Sequence, residues 1–183
     1  MTNKPIVPTR IRQVFDGRIF RVTVESILLP RGYRLDAEII RHPGSVVIVP
    51  VTDAGEIVLV RQYRHAIGRL AWELPAGSLR QGEDPASAAV RECHEEIGRI
   101  PTHVEALGSF YPTPGYCDEE MHFFRATGLR VPAAGDAPAH QDEDEDLEMR
   151  ACSLEAIRSM IASGEIIDLK TVAGLWLTSV KSQ

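Results

Sequence analysis

Glu92, Glu95 and Glu96 lie within five consecutive residues, in a segment reading DPASAAVRECHEEIG over residues 84–98. Asp84 is suited to accept hydrogen bonds as an N-cap, Pro85 to a first helical position that needs no N–H donor, and Gly98 to a stop. On such a helix the three glutamates share one face, and Glu92 and Glu96, at i and i+4, repel by roughly 0.2–0.5 kcal/mol. The helical counter-charge in register is Arg99, four residues after Glu95. Taken alone, the pattern suits a solvated acidic face. It also suits a site for Mg2+ or Mn2+, hard cations that select carboxylate and carbonyl oxygens and offset the repulsion among them.

A core must hold that face in place. Ala86, Ala89, Val90, Cys93 and Ile97 recur at helical spacing and predict a separate apolar stripe turned inward. Residues 45–51 form a nearly continuous apolar run, expected as a strand covered on both faces. Asp53-Ala54-Gly55 then marks a turn into a strand over residues 56–62, which predicts a hairpin. A short element at residues 71–74 leads through Pro75-Ala76-Gly77 towards the acidic helix. Downstream, residues 104–110 and 121–127 read as strands around the Pro- and Gly-containing loop 111–116. Cys152-Ser153 caps a helix over residues 154–163 that Gly164 ends, and Asp168 caps a last one through residue 181.

Residues 1–10, with Pro5 and Pro8, read as a loose arm. Beyond them Phe20, Val22 and Val24 alternate with Arg21, Thr23 and Glu25, and Leu35, Ala37 and Ile39 alternate with Arg34, Asp36 and Glu38. These are two strands of an antiparallel extension, and so few strands cannot bury an apolar face alone. The expected organisation is therefore an N-terminal β extension over residues 1–41, serving as a dimerisation element, and a main domain over residues 42–183. Strands in a mixed sheet, with the acidic helix on one side and a C-terminal helix on the other, predict an α/β/α sandwich.

The chain has 183 residues, 44% hydrophobic and 25% charged, which is ordinary for one globular domain. Its formal charge of −6 argues against general nucleic-acid binding, so positive charge for handling phosphates must be concentrated locally. Cys93, Cys117 and Cys152 are dispersed and odd in number, which points away from a disulfide framework or a zinc site and towards a reducing cytoplasm. Residues 1–13 contain no apolar leader segment, and no stretch approaches the eighteen or so apolar residues of a membrane helix.

Gly77, Glu83, Arg91-Glu92, Glu95-Glu96, Ile97 and Gly98 together resemble the Nudix box, found in hydrolases that cleave a nucleoside diphosphate linked to another group. Cys93 and Arg99 depart from it, both at positions that are usually aliphatic. The resemblance implies a Nudix-type α/β/α sandwich and a metal, Mg2+ or Mn2+, held by Glu92, Glu95 and Glu96 with the backbone carbonyl of Ala76. It also implies that Arg91 orients the carboxylates, while Glu83 supports the loop or lies near the metal.

Residues 70–77, reading LAWELPAG, with Gln62-Tyr63-Arg64 and the Pro114-Gly115 loop, are similar to the ADP-ribose pyrophosphatase branch of that family. In that branch Arg64 contacts the diphosphate, Glu73 binds substrate and Glu119 lies near it. A structural ion pair is the other reading of Arg64. The acidic run 142–146 is by composition a solvated, self-repelling loop. Beside the box it resembles the branch's late acidic loop, which makes Glu143 the candidate general base and Glu145 a further metal ligand. The implied activity is metal-dependent hydrolysis of ADP-ribose or a related nucleoside diphosphate sugar by a homodimer. Other outcomes in the same frame are a GDP-mannose or nucleoside triphosphate specificity, or an ADP-ribose-sensing domain without catalysis.

Overall fold

A computed structural model describes residues 5–139 and 147–181. The chain divides into two units, one formed by residues 1–44 with 111–120, the other by residues 45–110 with 121–183.

The first unit is an antiparallel sheet of β1 (Arg10–Asp16), β2 (Arg21–Leu28) and β3 (Arg34–Arg41), in the order β1-β2-β3. The sequence reading missed β1. Every one of its residues is exposed and a register shift between Gln13 and Phe15 breaks its alternation, so no period of two was present to be read. In β2 the burial is the reverse of the simple expectation. Thr23 and Glu25 are buried, whereas Val22 and Val24 are only half-buried. Glu25 tolerates this because it accepts hydrogen bonds from Arg41 Nε at 3.0 Å and from Thr23 Oγ1 at 2.8 Å. Burial pushes its pKa up, but the donors from Arg41 and Thr23 outweigh that and hold it below the ordinary carboxylate value. Residues 111–120 join this unit through backbone bonds between Ile40 and both Tyr116 and Asp118, and through an Arg41–Asp118 ion pair at 2.8 Å.

The second unit is built on β4 (Ser45–Pro50), β5 (Ile57–Arg64), β6 (Arg69–Glu73), β7 (Ala76–Ser78), β8 (Ile100–Phe110), β9 (Met121–Arg130) and β10 (Glu148–Cys152). With them go α1 (Pro85–Ile97), α2 (Leu154–Ser163) and α3 (Leu169–Lys181). One sheet is mixed, in the order β7-β4-β9-β8, with β4 parallel to β9 and the remaining pairs antiparallel. The other is antiparallel, in the order β10-β5-β6. Residues 53–55 do turn, and Val51 bridges Ile57, but β4 and β5 then enter different sheets, so the expected hairpin is only a turn. The strand β10 also lay outside the sequence reading, since only its last residue, Cys152, is buried.

All of β4 is buried, as a strand sandwiched between helices should be. Its alternate residues face different layers. Val46 and Ile48 pack with Ala88 and Ala89 of α1, while Val47 and Val49 pack with Ile157 of α2 and Leu175 of α3. Each such side chain contributes about 1.5–3 kcal/mol when fully removed from water. Likewise Val60 of β5 meets Cys93 and Ile97 of α1, and Leu59 meets the α2/α3 side. This is the expected α/β/α sandwich with a mixed sheet.

Candidate active site

The acidic helix forms as its local signals require. The Asp84 carboxylate accepts from Ser87 N–H at 2.9 Å, Pro85 opens the helix, and Gly98, at φ 61°, closes it by donating its N–H to the His94 carbonyl. What the sequence left open is the environment of the glutamate face. Glu92 and Glu95 are each 8% exposed and Glu96 is 2% exposed, so the face is not solvated. The helix is covered on more than the predicted stripe, with Ala88 fully buried while Ala86 and Val90 are only half-buried.

Buried carboxylates demand counter-charge, and Arg91 supplies it. Its Nη1 donates to Glu92 Oε1 at 2.5 Å and to Glu95 Oε2 at 2.7 Å. Its Nε and Nη2 reach the two oxygens of Glu83 at 2.7 and 2.8 Å. Glu83 in turn accepts from Arg80 N–H at 2.9 Å, which fixes the loop before the helix. Arg91, pairing with Glu83 first of all, holds that carboxyl below its ordinary value, and the Arg91 pKa rises correspondingly. The expected partner of Glu95, Arg99, lies beyond the end of α1 and donates to the Gly98 carbonyl instead. Arg80, which sequence reasoning did not single out, also reaches Glu95, at 3.3 Å.

Strand β7 lies against the same carboxylates. Ala76 N–H donates to Glu96 Oε2 at 3.3 Å. Gly77 passes so near α1 that an added Cβ would lie 2.0 Å from both Cδ and Oε1 of Glu92. Cys93, on the apolar side of the helix, is fully buried, and burial together with nearby Glu96 pushes its thiol up to about 12. Among the described residues, no three His, Cys, Asp or Glu side chains form a ready cage for a metal ion. The donors available still suit Mg2+. They are hard oxygens, buried, on one helix face, and brought beside a glycine that leaves room at Glu92.

A second ionic cluster joins β5, β6 and α3. Arg64 grips Glu73 with its guanidinium fork, Nε to Oε1 at 2.9 Å and Nη2 to Oε2 at 2.7 Å. Lys170 also pairs with Glu73, and with Asp168 at 3.0 Å. Burial pushes the Glu73 pKa up, but Arg64 and Lys170 outweigh that and hold it below the ordinary value. Arg64, paired first with Glu73 and also within the field of Glu96, is raised. Asp168 caps α3 by accepting from Thr171 N–H at 2.9 Å and from Thr171 Oγ1 at 2.6 Å, and the same hydroxyl accepts from Leu74 N–H at 2.8 Å. Lys170 was missed by sequence reasoning. Its signal was a lysine in the first turn of a helix, where the dipole disfavours a cation by about 0.3–1 kcal/mol unless carboxylates surround it.

Of the residues expected at the site, the second unit thus contains Arg64, Glu73, Ala76, Arg91, Glu92, Glu95 and Glu96. Glu119 belongs to the first unit, where its carboxylate lies 4.0 Å from His42 Nδ1. Glu143 and Glu145 lie outside the described residues.

A sequence model of the NUDIX domain matches residues 41–173. The chain belongs to the Nudix family. It is 36% identical over 169 residues to the ADP-ribose pyrophosphatase of Bacillus subtilis (strain 168), covering 92% of this chain and 90% of that one. It is 37% identical over 163 residues to the methanol dehydrogenase activator of Bacillus methanolicus, covering 89% and 86%. A crystal structure of an ADP compounds hydrolase shares its fold, with a TM-score of 0.81 at 21% identity over 98% of this chain and 95% of that one. Among the described residues of this Nudix hydrolase, no helix is long and apolar enough to cross a membrane.

Proposed function

We propose that this Nudix hydrolase cleaves the pyrophosphate bond of ADP-ribose or a related nucleoside diphosphate sugar, giving a nucleoside monophosphate and a sugar phosphate. The observation that carries the reading is the buried glutamate face of α1. The pyrophosphatase relative from Bacillus subtilis supports the substrate class. Glu92, Glu95 and Glu96 would hold Mg2+, or Mn2+ in its place, together with the Ala76 carbonyl. When bound, the metal neutralises phosphate charge and makes attack by water accessible near neutral pH.

The remaining work falls to the chain. Arg91 keeps Glu92 and Glu95 from splaying apart under their mutual repulsion, and so holds both oxygens where a cation can use them. The planar fork of Arg64, now closed on Glu73, matches two phosphate oxygens equally well. Glu73 then remains as an acceptor for a substrate hydroxyl, and the family likeness alone assigns Glu119 a place near substrate. Glu143 is assigned as the general base and Glu145 as a further metal ligand, both from the family likeness of residues 143–147.

The protein is assigned as a homodimer in the cytoplasm, with the β1–β3 sheet as the dimerisation element. Ile11, Phe15 and Ile19, exposed by 60%, 51% and 54%, support the dimer, since a second copy would remove them from water. Three unpaired cysteines suit a reducing compartment. Sedimentation at micromolar concentration tests the dimer, and a monomer there removes it.

The decisive assay measures monophosphate release with Mg2+ from ADP-ribose, other ADP-sugars, GDP-mannose and nucleoside triphosphates, with Glu96→Gln in parallel. Fastest turnover of ADP-ribose, lost in the variant, is the expected result. Binding of ADP-ribose without turnover of any compound would overturn the enzyme reading in favour of a sensor.

A further inference from the structure

The two cations on Glu73 are not equivalent. The Glu73 side chain is 3% exposed, and its partners differ sharply: Arg64 is 41% exposed and Lys170 only 12%. Arg64, Glu73 and Lys170 also line one cavity of about 260 Å3, walled by Ile67, Ala71 and Leu169. An arginine that forks onto a buried carboxylate cannot leave for another anion unless the carboxylate keeps a counter-charge, because an unpaired buried charge is strongly destabilising. Lys170 is placed to provide that charge. It is fixed from behind by Asp168, Asp168 is fixed by Thr171, and the Thr171 hydroxyl is anchored by Leu74 N–H. The lysine therefore belongs to the rigid side of the cluster and the arginine to the open side.

We infer that Lys170 is a positioning residue, which holds the Glu73 carboxylate in place while Arg64 turns from Glu73 onto the diphosphate of the substrate. The inference rests on the function proposed above, in which Arg64 meets that diphosphate. Without Lys170, Arg64 is the one cation among the described residues paired with this buried carboxylate, and it stays locked to it. Substrate binding weakens as a result, while the carboxylates of α1 and the chemical step are untouched.

The test compares wild type, Lys170→Met and Lys170→Arg for kcat and KM on ADP-ribose. Alongside it, calorimetry measures binding of a methylene-bridged, non-hydrolysable ADP-ribose, and circular dichroism verifies folding. Lys170→Met is expected to raise KM and the Kd of the analogue at least tenfold with kcat within threefold of wild type. Lys170→Arg is expected to restore both constants to within threefold. In a Glu73→Gln background, where no buried carboxylate holds Arg64, Lys170→Met should change KM by less than twofold, since its effect acts through the Arg64–Glu73 pair. A purely structural role would instead add its full effect there. Unchanged KM in Lys170→Met, or an equal rise in the Glu73→Gln background, overturns the inference while leaving the hydrolase reading intact. Absence of both turnover and analogue binding in the wild type overturns the two together. Should Lys170→Met not fold, Lys170→Gln, which keeps a donor on a shorter stem, carries the same comparison.

Discussion

Gly77→Ala isolates the geometry of the glutamate face from the stability of the fold. The new Cβ would stand 2.0 Å from Cδ and Oε1 of Glu92, against the roughly 3.5–4.0 Å at which carbon atoms rest in contact. Glu92 must therefore yield by about 1.5 Å or more. It is the far end of a flexible side chain, so the cost to the fold is confined to a loosened bond from Arg91, and Gly77 does not have the positive φ that alanine would resist. In the unfolded chain the substitution removes backbone freedom, an effect of about 0.4–1 kcal/mol in the stabilising direction. Catalysis should respond differently. A misplacement of about 1 Å in a reacting constellation costs on the order of 100-fold, or about 2.7 kcal/mol in the barrier at 1.36 kcal/mol per tenfold. The expected result is kcat/KM on ADP-ribose lowered about 100-fold, weaker Mn2+ binding by electron paramagnetic resonance, and a urea midpoint close to wild type. A variant that keeps more than a third of wild-type kcat/KM would refute the argument, because Glu92 would then not need its observed position.

Two further outcomes follow from paired polar groups. Thr171→Val keeps the shape of a fully buried side chain but strips Leu74 N–H of its acceptor, and should cost about 1–3 kcal/mol by urea unfolding, whereas Thr171→Ser keeps the hydroxyl and should lose only about 0.8 kcal/mol for its methyl. Glu83 has a folded pKa below its ordinary 4.5, chiefly through Arg91, so its stabilisation is present above that value and lost as pH falls through the folded pKa. Urea midpoints measured from pH 5 downward should therefore fall less steeply in Glu83→Gln than in wild type, and parallel curves would count against the Arg91–Glu83 pair.

How much of this could be read from the chain depended on the range of the interaction. Asp84, Pro85 and Gly98 act within one turn of their own positions, so the ends of α1 were legible, as were Ser153 and Gly164 around α2. The both-faces burial of β4 was legible because an unbroken apolar run has few other uses. The environment of the glutamates was not. Arg80 comes to Glu95 across 15 residues and Lys170 to Glu73 across 97, and no periodicity encodes such pairings. Strands β1 and β10 escaped because they expose almost every residue and carry no alternation. The fate of β5 escaped because a turn specifies only that the chain reverses, and the sheet it then joins is decided by packing on α1 and α2.

The division of the chain has a consequence for how its parts can be exchanged or trimmed. The backbone passes between the units three times, after Gly44, Phe110 and Glu120, so the first unit is assembled from two separate stretches. Cutting before Ser45 would not excise a module. It would leave residues 111–120 behind without the Ile40 N–H that donates to the Tyr116 carbonyl, without the Ile40 carbonyl that accepts from Asp118 N–H, and without Arg41 opposite the Asp118 carboxylate. Transplanting the first 44 residues onto another member of the family would meet the same obstacle unless the 111–120 loop travelled with them. The practical unit of grafting is therefore the pair of stretches.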